Sequence, residues 1–553
     1  MTAYERYLSW LNNDQMDNGT RIDLAGLTPE AVEDRFYQEL EFGTAGLRGV
    51  MGSGTNRMNE YVVRRASAGL AAWLNQQGTG ARGVVIAWDT RNSSRLFARA
   101  AACTLAAAGV PAYLFEVPSA TPVLSFAVPF LDAAAGIVVT ASHNQAPYNG
   151  FKVYDATGCQ LPPEAAALVA KKMEDCSYTP PILPEDQARD RGLLRTAGED
   201  VFEAFLDAAA KQARPLDNAA KAALNIVYTP LHGTGANLVP RLLEREDYTG
   251  LVLVEAQMTP DGRFPTVKTP NPEEPEAMAM AISQAVDSGA DLVLATDPDC
   301  DRICAAIPAP EGFRQLTGAQ LGGLLLAYLA DQTNWDQSAQ QPIVITTVVT
   351  GNLGPVLAQA RGLELRRVLT GFKYIGEQLN NMTPQEKDRY VLGYEESCGY
   401  LVGLHARDKD AAAAALVLCE MAARCKARGE TLLDVLTGLY QTYGWQSETT
   451  RSAVFPGQDG SKQMKQIMAN LRTGAAKDLP GLTQTLDYGP GLDGLPPTDL
   501  MKFLFSDGSW AAVRPSGTEP KLKLYVSGTG RTEDEAQSRR QDLLDRFSRI
   551  MGL

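Results

Sequence analysis

The chain has 553 residues, 45% of them apolar, and a formal net charge of −14. That length exceeds one hydrophobic core, so three to four compact domains are expected rather than a single core or a disordered chain. The acidic balance argues against nucleic acid as the main partner, because phosphate backbones reward a basic surface, yet local Arg and Lys can still gather a small anionic substrate.

The opening residues mix charge with apolar side chains and lack a continuous apolar core, so no signal peptide is expected. The longest apolar run, residues 411–419, is too short to span a bilayer. The eight cysteines are scattered and form no disulfide-like framework, which predicts reduced thiols in a cytoplasmic protein. Cys300 and Cys304 lack the second pair or histidine cluster that a zinc site needs.

In chain order, short apolar strands each end in a polar loop. Residues 83–88 precede Asp89-Thr90-Arg91, and residues 135–139 precede Thr140-Ala141-Ser142-His143-Asn144. Residues 225–228 lead into Thr229-Pro230-Leu231-His232-Gly233, residues 291–295 into Asp297, and residues 343–349 into Thr350-Gly351. Alanine-rich helical segments lie between them, at 96–108, 276–288 and 318–330. This alternation predicts βαβ units and mixed, largely parallel sheets. The last segment differs. Strand-like residues 502–505 and 510–514 flank an Asp507-Gly508 turn, followed by residues 522–526 and a charged helix from Glu533, which predicts an antiparallel α+β domain. Composition shifts place the expected domains at 1–215, 216–314, 315–445 and 446–553.

Three of these loops carry chemistry. Ser142 sits at the carboxyl end of a buried strand, where ligands of open α/β sheets collect. Asp297, Asp299 and Asp301 alternate on an extended loop and can converge on one hard cation. A calcium loop of the EF-hand type is excluded, because its sixth position is Arg302 and its twelfth Pro308. Arg514-Pro515-Ser516-Gly517-Thr518 offers a guanidinium fork, two hydroxyls and a close backbone approach, all suited to phosphate. Glu395-Glu396-Ser397 supplies acceptors for vicinal sugar hydroxyls, with a solvated charged loop as the competing reading. Lys409 is either a substrate cation or a surface charge. Ser142 beside His143 is not a hydrolase nucleophile elbow, because the Gly-x-Ser-x-Gly frame is missing. Serine, cation and phosphate loops together point to phosphoryl transfer.

These motifs, with Glu41-Phe42-Gly43-Thr44-Ala45-Gly46-Leu47-Arg48-Gly49 ahead of them, closely resemble the α-D-phosphohexomutase family, in particular its phosphoglucomutase-like members. The resemblance implies four domains around a central cleft, three related α/β domains and a smaller α+β one. It implies that Ser142 is a phosphoserine, that Asp297, Asp299 and Asp301 hold Mg²⁺ together with an oxygen on Ser142, and that Arg302 lies beside them. It further implies Arg48 at the reacting phosphate, Thr370, Glu395, Ser397 and Lys409 at the sugar, and Arg514, Ser516, Gly517 and Thr518 at the other phosphate. His143 and Lys152 are its general acid/base candidates.

The implied activity interconverts glucose 1-phosphate and glucose 6-phosphate, with glucose 1,6-bisphosphate as intermediate and activator, in a monomer or homodimer. Phosphomannomutase, phosphopentomutase and sugar-bisphosphate synthase activities stay open within the family. A serine-dependent phosphomonoesterase and a non-catalytic sugar-phosphate sensor are the readings outside it. One departure stands out: the family continues His-Asn-Pro after the serine, whereas this chain reads His143-Asn144-Gln145-Ala146-Pro147, so the backbone around Ser142 is expected to differ slightly.

Overall fold

The computed structural model describes residues 1–43, 46–332, 341–455, 457–516 and 521–553. They form two units: Met1–Gln315 with Ile375–Thr383 and Gly399–Arg424, and Leu316–Tyr374 with Pro384–Cys398 and Cys425–Leu553.

The first unit opens on three helices that the strand-and-loop pattern did not announce. The first, Ala3–Leu11, starts at a capping box between Thr2 and Glu5 and buries Trp10 edge-on against Phe36, Tyr61 and Tyr178. Behind them lies a six-stranded sheet. Its central strands Val84–Trp88 and Ala135–Val139 are buried on both faces, as parallel strands flanked by helices must be. They run parallel to each other, to Ala112–Phe115 and, through it, to Leu194–Ala197. On the other side Tyr148–Asp155 and Leu47–Val50 add antiparallel edges. Asn149-Gly150 therefore lies on a strand directly opposite Arg48-Gly49, which brings the Arg48 loop to the sheet end occupied by Ser142.

A five-stranded sheet follows in the same unit. Ile226–Thr229 and Leu292–Thr296 are parallel and buried, with Ile303–Ala309 antiparallel beside the latter. Asp297 to Asp301 form the tight connection between those last two strands.

In the second unit, Ile343–Thr347 pairs in parallel with Glu364–Val368 and Tyr390–Glu395. A separate antiparallel sheet runs through Trp445–Val454, Lys521–Gly530, Trp510–Pro515, Met501–Phe505 and Leu482–Asp487. Helix Glu533–Met551 closes one face by burying Leu543, Phe547 and Met551. The predicted mixed, largely parallel sheets and the antiparallel terminal sheet are both present. The strands before and after Ser142 differ in direction, which the apolar run alone could not reveal.

Candidate active site

Ser142 follows strand Ala135–Val139 with a left-handed backbone, φ 50°, uncommon for a residue with a Cβ. Its surroundings hold it there. Its amide donates to Thr140 Oγ1 at 2.7 Å, and Thr140 donates to Asp89 Oδ2 at 2.6 Å. The buried Arg91 guanidinium donates to the carbonyls of Ser142 and Asn144, and to those of Gln145 at 3.0 Å and Tyr148 at 3.2 Å. Asp89 faces Arg91 at 3.3 Å with both side chains fully buried. The unusual Gln145-Ala146-Pro147 segment is thus absorbed: Arg91 takes the Gln145 carbonyl, and the Met51 amide donates to Pro147 O at 2.8 Å. The Arg48 guanidinium donates to Asn144 Oδ1 at 3.1 Å.

The Ser142 hydroxyl donates to Asp297 Oδ2 at 2.6 Å and lies 3.2 Å from His143 Nδ1. Asp297 Oδ1 accepts from the amides of Asp301 and Arg302 at 3.1 and 3.0 Å, which coils the loop so that the three carboxylates converge. One oxygen from each lies within 4.8 Å of the others, and all three residues are buried. Lys152 donates to Asp299 Oδ2 at 2.9 Å and lies 3.5 Å from Asp301 Oδ2. Lys409 lies 3.0 Å from Asp301 Oδ2 and 2.9 Å from Asp408 Oδ1, while Tyr154 donates to Asp408 Oδ2 at 2.8 Å. Thr121 ties down Asp299 through its amide and its hydroxyl. Arg302 turns toward Glu273 at 2.6 Å.

The loop after the strand Ile226–Thr229 buttresses this arrangement. Thr234 donates to Pro298 O through its amide at 2.8 Å and through its hydroxyl at 3.0 Å. Gly233 is required there, because a Cβ would lie 2.5 Å from Pro298 Cα.

Electrostatics follow from burial. Burial and the neighbouring Asp299 and Asp301 push the Asp297 carboxyl well above the usual carboxylate range. Burial also raises Asp299, but the Lys152 ammonium outweighs it and holds that carboxyl below its usual range. Burial pulls Lys152 down, yet the two carboxylates beside it leave its pKa raised, so it stays charged.

The trio fits a hard divalent cation on two grounds. Asp299 Oδ1 and Asp301 Oδ1 are buried and accept no hydrogen bond from the described residues, and such orphaned oxygens call for a partner. The crowding that raises Asp297 is the stress a cation relieves.

The second unit carries Thr370, Glu395, Ser397, Arg514 and Ser516. Glu395 ends the strand Tyr390–Glu395, is buried, and its Oε1 accepts from the Gly371 amide at 2.7 Å. Glu396 accepts from the hydroxyls of Thr347 and Thr350 at 3.0 and 3.2 Å, which disfavours a freely solvated loop. Ser397 follows in the turn, half-buried. Thr370 Oγ1 is buried and has no hydrogen-bond partner among the described residues. Arg514 is the penultimate residue of the strand Trp510–Pro515, and the Ser516 amide donates to Lys521 O at 2.8 Å. Gly517 and Thr518 lie outside the described residues.

Sequence reasoning left Arg91, Thr121, Thr140, Tyr154 and Asp408 without roles. The polar Asp89-Thr90-Arg91 loop at a strand end was the available signal for Arg91, and Arg407-Asp408-Lys409 for Asp408. Nothing local marks Thr121.

A hydroxyl against an acidic, cation-ready trio with two ammonium groups is a site built for phosphoryl chemistry. Comparison with known proteins identifies the class. Models of the phosphoglucomutase/phosphomannomutase alpha/beta/alpha domains I, II and III match residues 39–179, 203–310 and 317–443, and that of its C-terminal domain matches residues 462–546. The phosphoglucomutase of Staphylococcus haemolyticus is 36% identical over 510 residues, covering 90% of this chain and 91% of its own. That of Staphylococcus aureus strain MSSA476 is 35% identical over 520 residues, covering 91% and 92%. Two solved structures share the fold: a phosphoglucomutase/phosphomannomutase family protein from Burkholderia thailandensis (TM-score 0.67, 20% identity, 92% of this chain and 97% of that one) and the Paramecium phosphoglucomutase parafusin (TM-score 0.70, 15% identity, 93% and 95%). The chain belongs to the phosphoglucomutase/phosphomannomutase family, an α/β enzyme of four domains and a mutase by that membership.

Proposed function

We propose that this mutase interconverts glucose 1-phosphate and glucose 6-phosphate through a phosphorylated Ser142 and glucose 1,6-bisphosphate. The observation that carries the reading is Ser142 Oγ held 2.6 Å from Asp297 at a cation-ready trio, in a chain whose curated relatives at about 35% identity are named phosphoglucomutase.

Each residue has a part. Asp297, Asp299 and Asp301 would hold Mg²⁺, which when bound neutralises charge on the phosphoryl oxygens. Arg48 and the charged Lys152 add positive charge at the same oxygens. In the first half-reaction the Ser142 Oγ–P bond breaks, an O–P bond forms to the sugar hydroxyl, and the proton that hydroxyl gives up is balanced by one delivered to the departing Ser142 Oγ. In the second half-reaction the other sugar O–P bond of the bisphosphate breaks, that phosphate passes to Ser142 Oγ, and the serine's proton is balanced by one taken up on the freed sugar oxygen. His143 Nδ1, 3.2 Å from Ser142 Oγ, is the proton carrier once Asp297 is committed to the cation. Lys152, kept charged by its carboxylates, neutralises charge more than it accepts protons.

Thr370, Glu395, Ser397 and Lys409 bind the sugar in this reading, and Arg514, Ser516, Gly517 and Thr518 hold the phosphate that is not reacting, with Arg302 beside the trio. The domains take the bounds 1–215, 216–314, 315–445 and 446–553. A reducing cytoplasm suits eight cysteines among which the described residues form no disulfide, and no helix among them is long and apolar enough to cross a membrane.

The test is side-by-side turnover of glucose 1-phosphate, mannose 1-phosphate and ribose 1-phosphate with the matching bisphosphates, while inorganic phosphate is followed. Preferred turnover of glucose 1-phosphate with almost no phosphate release is expected. Preference for ribose 1-phosphate would replace the substrate, and steady phosphate release would make the protein a phosphatase.

A further inference from the structure

The second unit contains a cavity of about 500 Å³ that the phosphoryl chemistry does not use, a size that suits a small organic ligand. Its walls combine aliphatic side chains, Leu365 and Leu504 among them, with two cations, Arg367 and Lys502, one carboxylate, Asp493, and Tyr488. Lys502 lies on the strand Met501–Phe505 and is only 7% exposed. Its ammonium sits 4.2 Å over the Trp510 ring and donates to Val348 O at 2.6 Å. No carboxylate among the described residues pairs with Arg367 or Lys502 within ion-pair distance, whereas Arg366, Arg389 and Arg472 each hold one. A buried cation with no counter-charge is costly, and a second cation beside it adds to the cost.

We propose that this cavity is a binding site for a small organic anion with an apolar body, whose carboxylate or phosphate head pairs with Lys502 and Arg367 while the leucines cover its body. All of its lining residues belong to the second unit, and the proposal does not depend on which sugar phosphate turns over. Burial and the nearby Arg367 pull the Lys502 pKa down to about 7. An anion arriving beside it restores the ammonium, so binding takes up a proton and tightens as pH falls toward that value. The other charged or titratable groups lining the cavity are the Arg367 guanidinium, the Asp493 carboxylate and the Tyr488 hydroxyl, which burial pushes up.

The test uses full-length protein and the fluorescent sulfonate 8-anilinonaphthalene-1-sulfonate, displaced separately by benzoate and by phenyl phosphate. Saturable one-to-one binding is expected. It should weaken at least about tenfold in Arg367→Ala, a substitution at an exposed position, and in Lys502→Met. The sulfonate stays ionised throughout, so wild-type binding should be several-fold tighter at about pH 6 than at about pH 8, and that difference should vanish in Lys502→Met. Displacement by benzoate alone assigns a carboxylate head, by phenyl phosphate alone a phosphate head, and by both an anion site of either kind. Absence of saturable binding, equal affinity in the wild type and Arg367→Ala, or displacement by glucose 6-phosphate but by neither probe anion would overturn the proposal.

Discussion

Four backbone carbonyls of the serine loop and the Asp89 carboxylate converge on one guanidinium, that of Arg91, and the Phe264 ring covers its far face at 4.9 Å. A planar fork with five donors can satisfy that many acceptors, whereas a lysine ammonium cannot. Arg91→Ala leaves Asp89 buried and unpaired, and is expected to cost about 3–5 kcal/mol in denaturant unfolding. Arg91→Lys keeps the charge but frees carbonyls of the loop. It should therefore fold while turnover of glucose 1-phosphate falls at least about tenfold, because small displacements of a reacting group are expensive. Turnover equal to wild type in Arg91→Lys would show that the loop needs no such anchor. Ser142 itself was legible from its place at the end of an apolar strand. Arg91 was not, because its function lies in carbonyls more than fifty positions away, and a sequence shows no hydrogen bonds of that range.

The aspartate loop is coiled by its own hydrogen bonds and positioned by the elements around it. It connects the antiparallel strands Leu292–Thr296 and Ile303–Ala309, and the loop after Ile226–Thr229 packs on its back. Alternating carboxylates announced a cation loop, and burial after an apolar strand announced its place. The supporting Pro230-Leu231-His232-Gly233-Thr234 loop looked like one more polar strand ending, since a glycine needed for close approach is indistinguishable in sequence from one needed for a turn. Gly233→Ala tests this contact. The added Cβ meets only backbone, Pro298 Cα at 2.5 Å and the carbonyls of Pro230 and Pro298 at 2.8 Å, so the aspartate loop must move. The expected result is a loss of about 1–3 kcal/mol of stability together with weaker Mg²⁺ binding by calorimetry. Unchanged affinity would mean that the trio tolerates the shift. The N-terminal helices and the antiparallel strand Tyr148–Asp155 escaped the sequence reading for a related reason. Both depend on distant partners, Trp10 on Tyr61 and Tyr178, and Phe151 on Leu47.

The whole molecule acts as a carrier of phosphate and cation together. Burial and its neighbours push the Asp297 carboxyl above the usual carboxylate range, and a bound Mg²⁺ favours its ionised form. Mg²⁺ affinity should therefore rise with pH wherever that carboxyl titrates, above the range of an ordinary carboxylate, with proton release seen in calorimetry in buffers of different ionisation enthalpy. Affinity that falls as pH rises would contradict this assignment of charge. Removing the cation with a chelator should abolish turnover reversibly. The central claim is that Ser142 receives and returns the phosphoryl group, and the intact mass of the protein before and after incubation with glucose 1,6-bisphosphate and Mg²⁺ tests it most directly. A gain of one phosphate is expected, confined to the peptide bearing Ser142, lost again on adding glucose 1-phosphate or glucose 6-phosphate and absent from Ser142→Ala. Phosphate on another residue, or mutase turnover that survives Ser142→Ala, would contradict it.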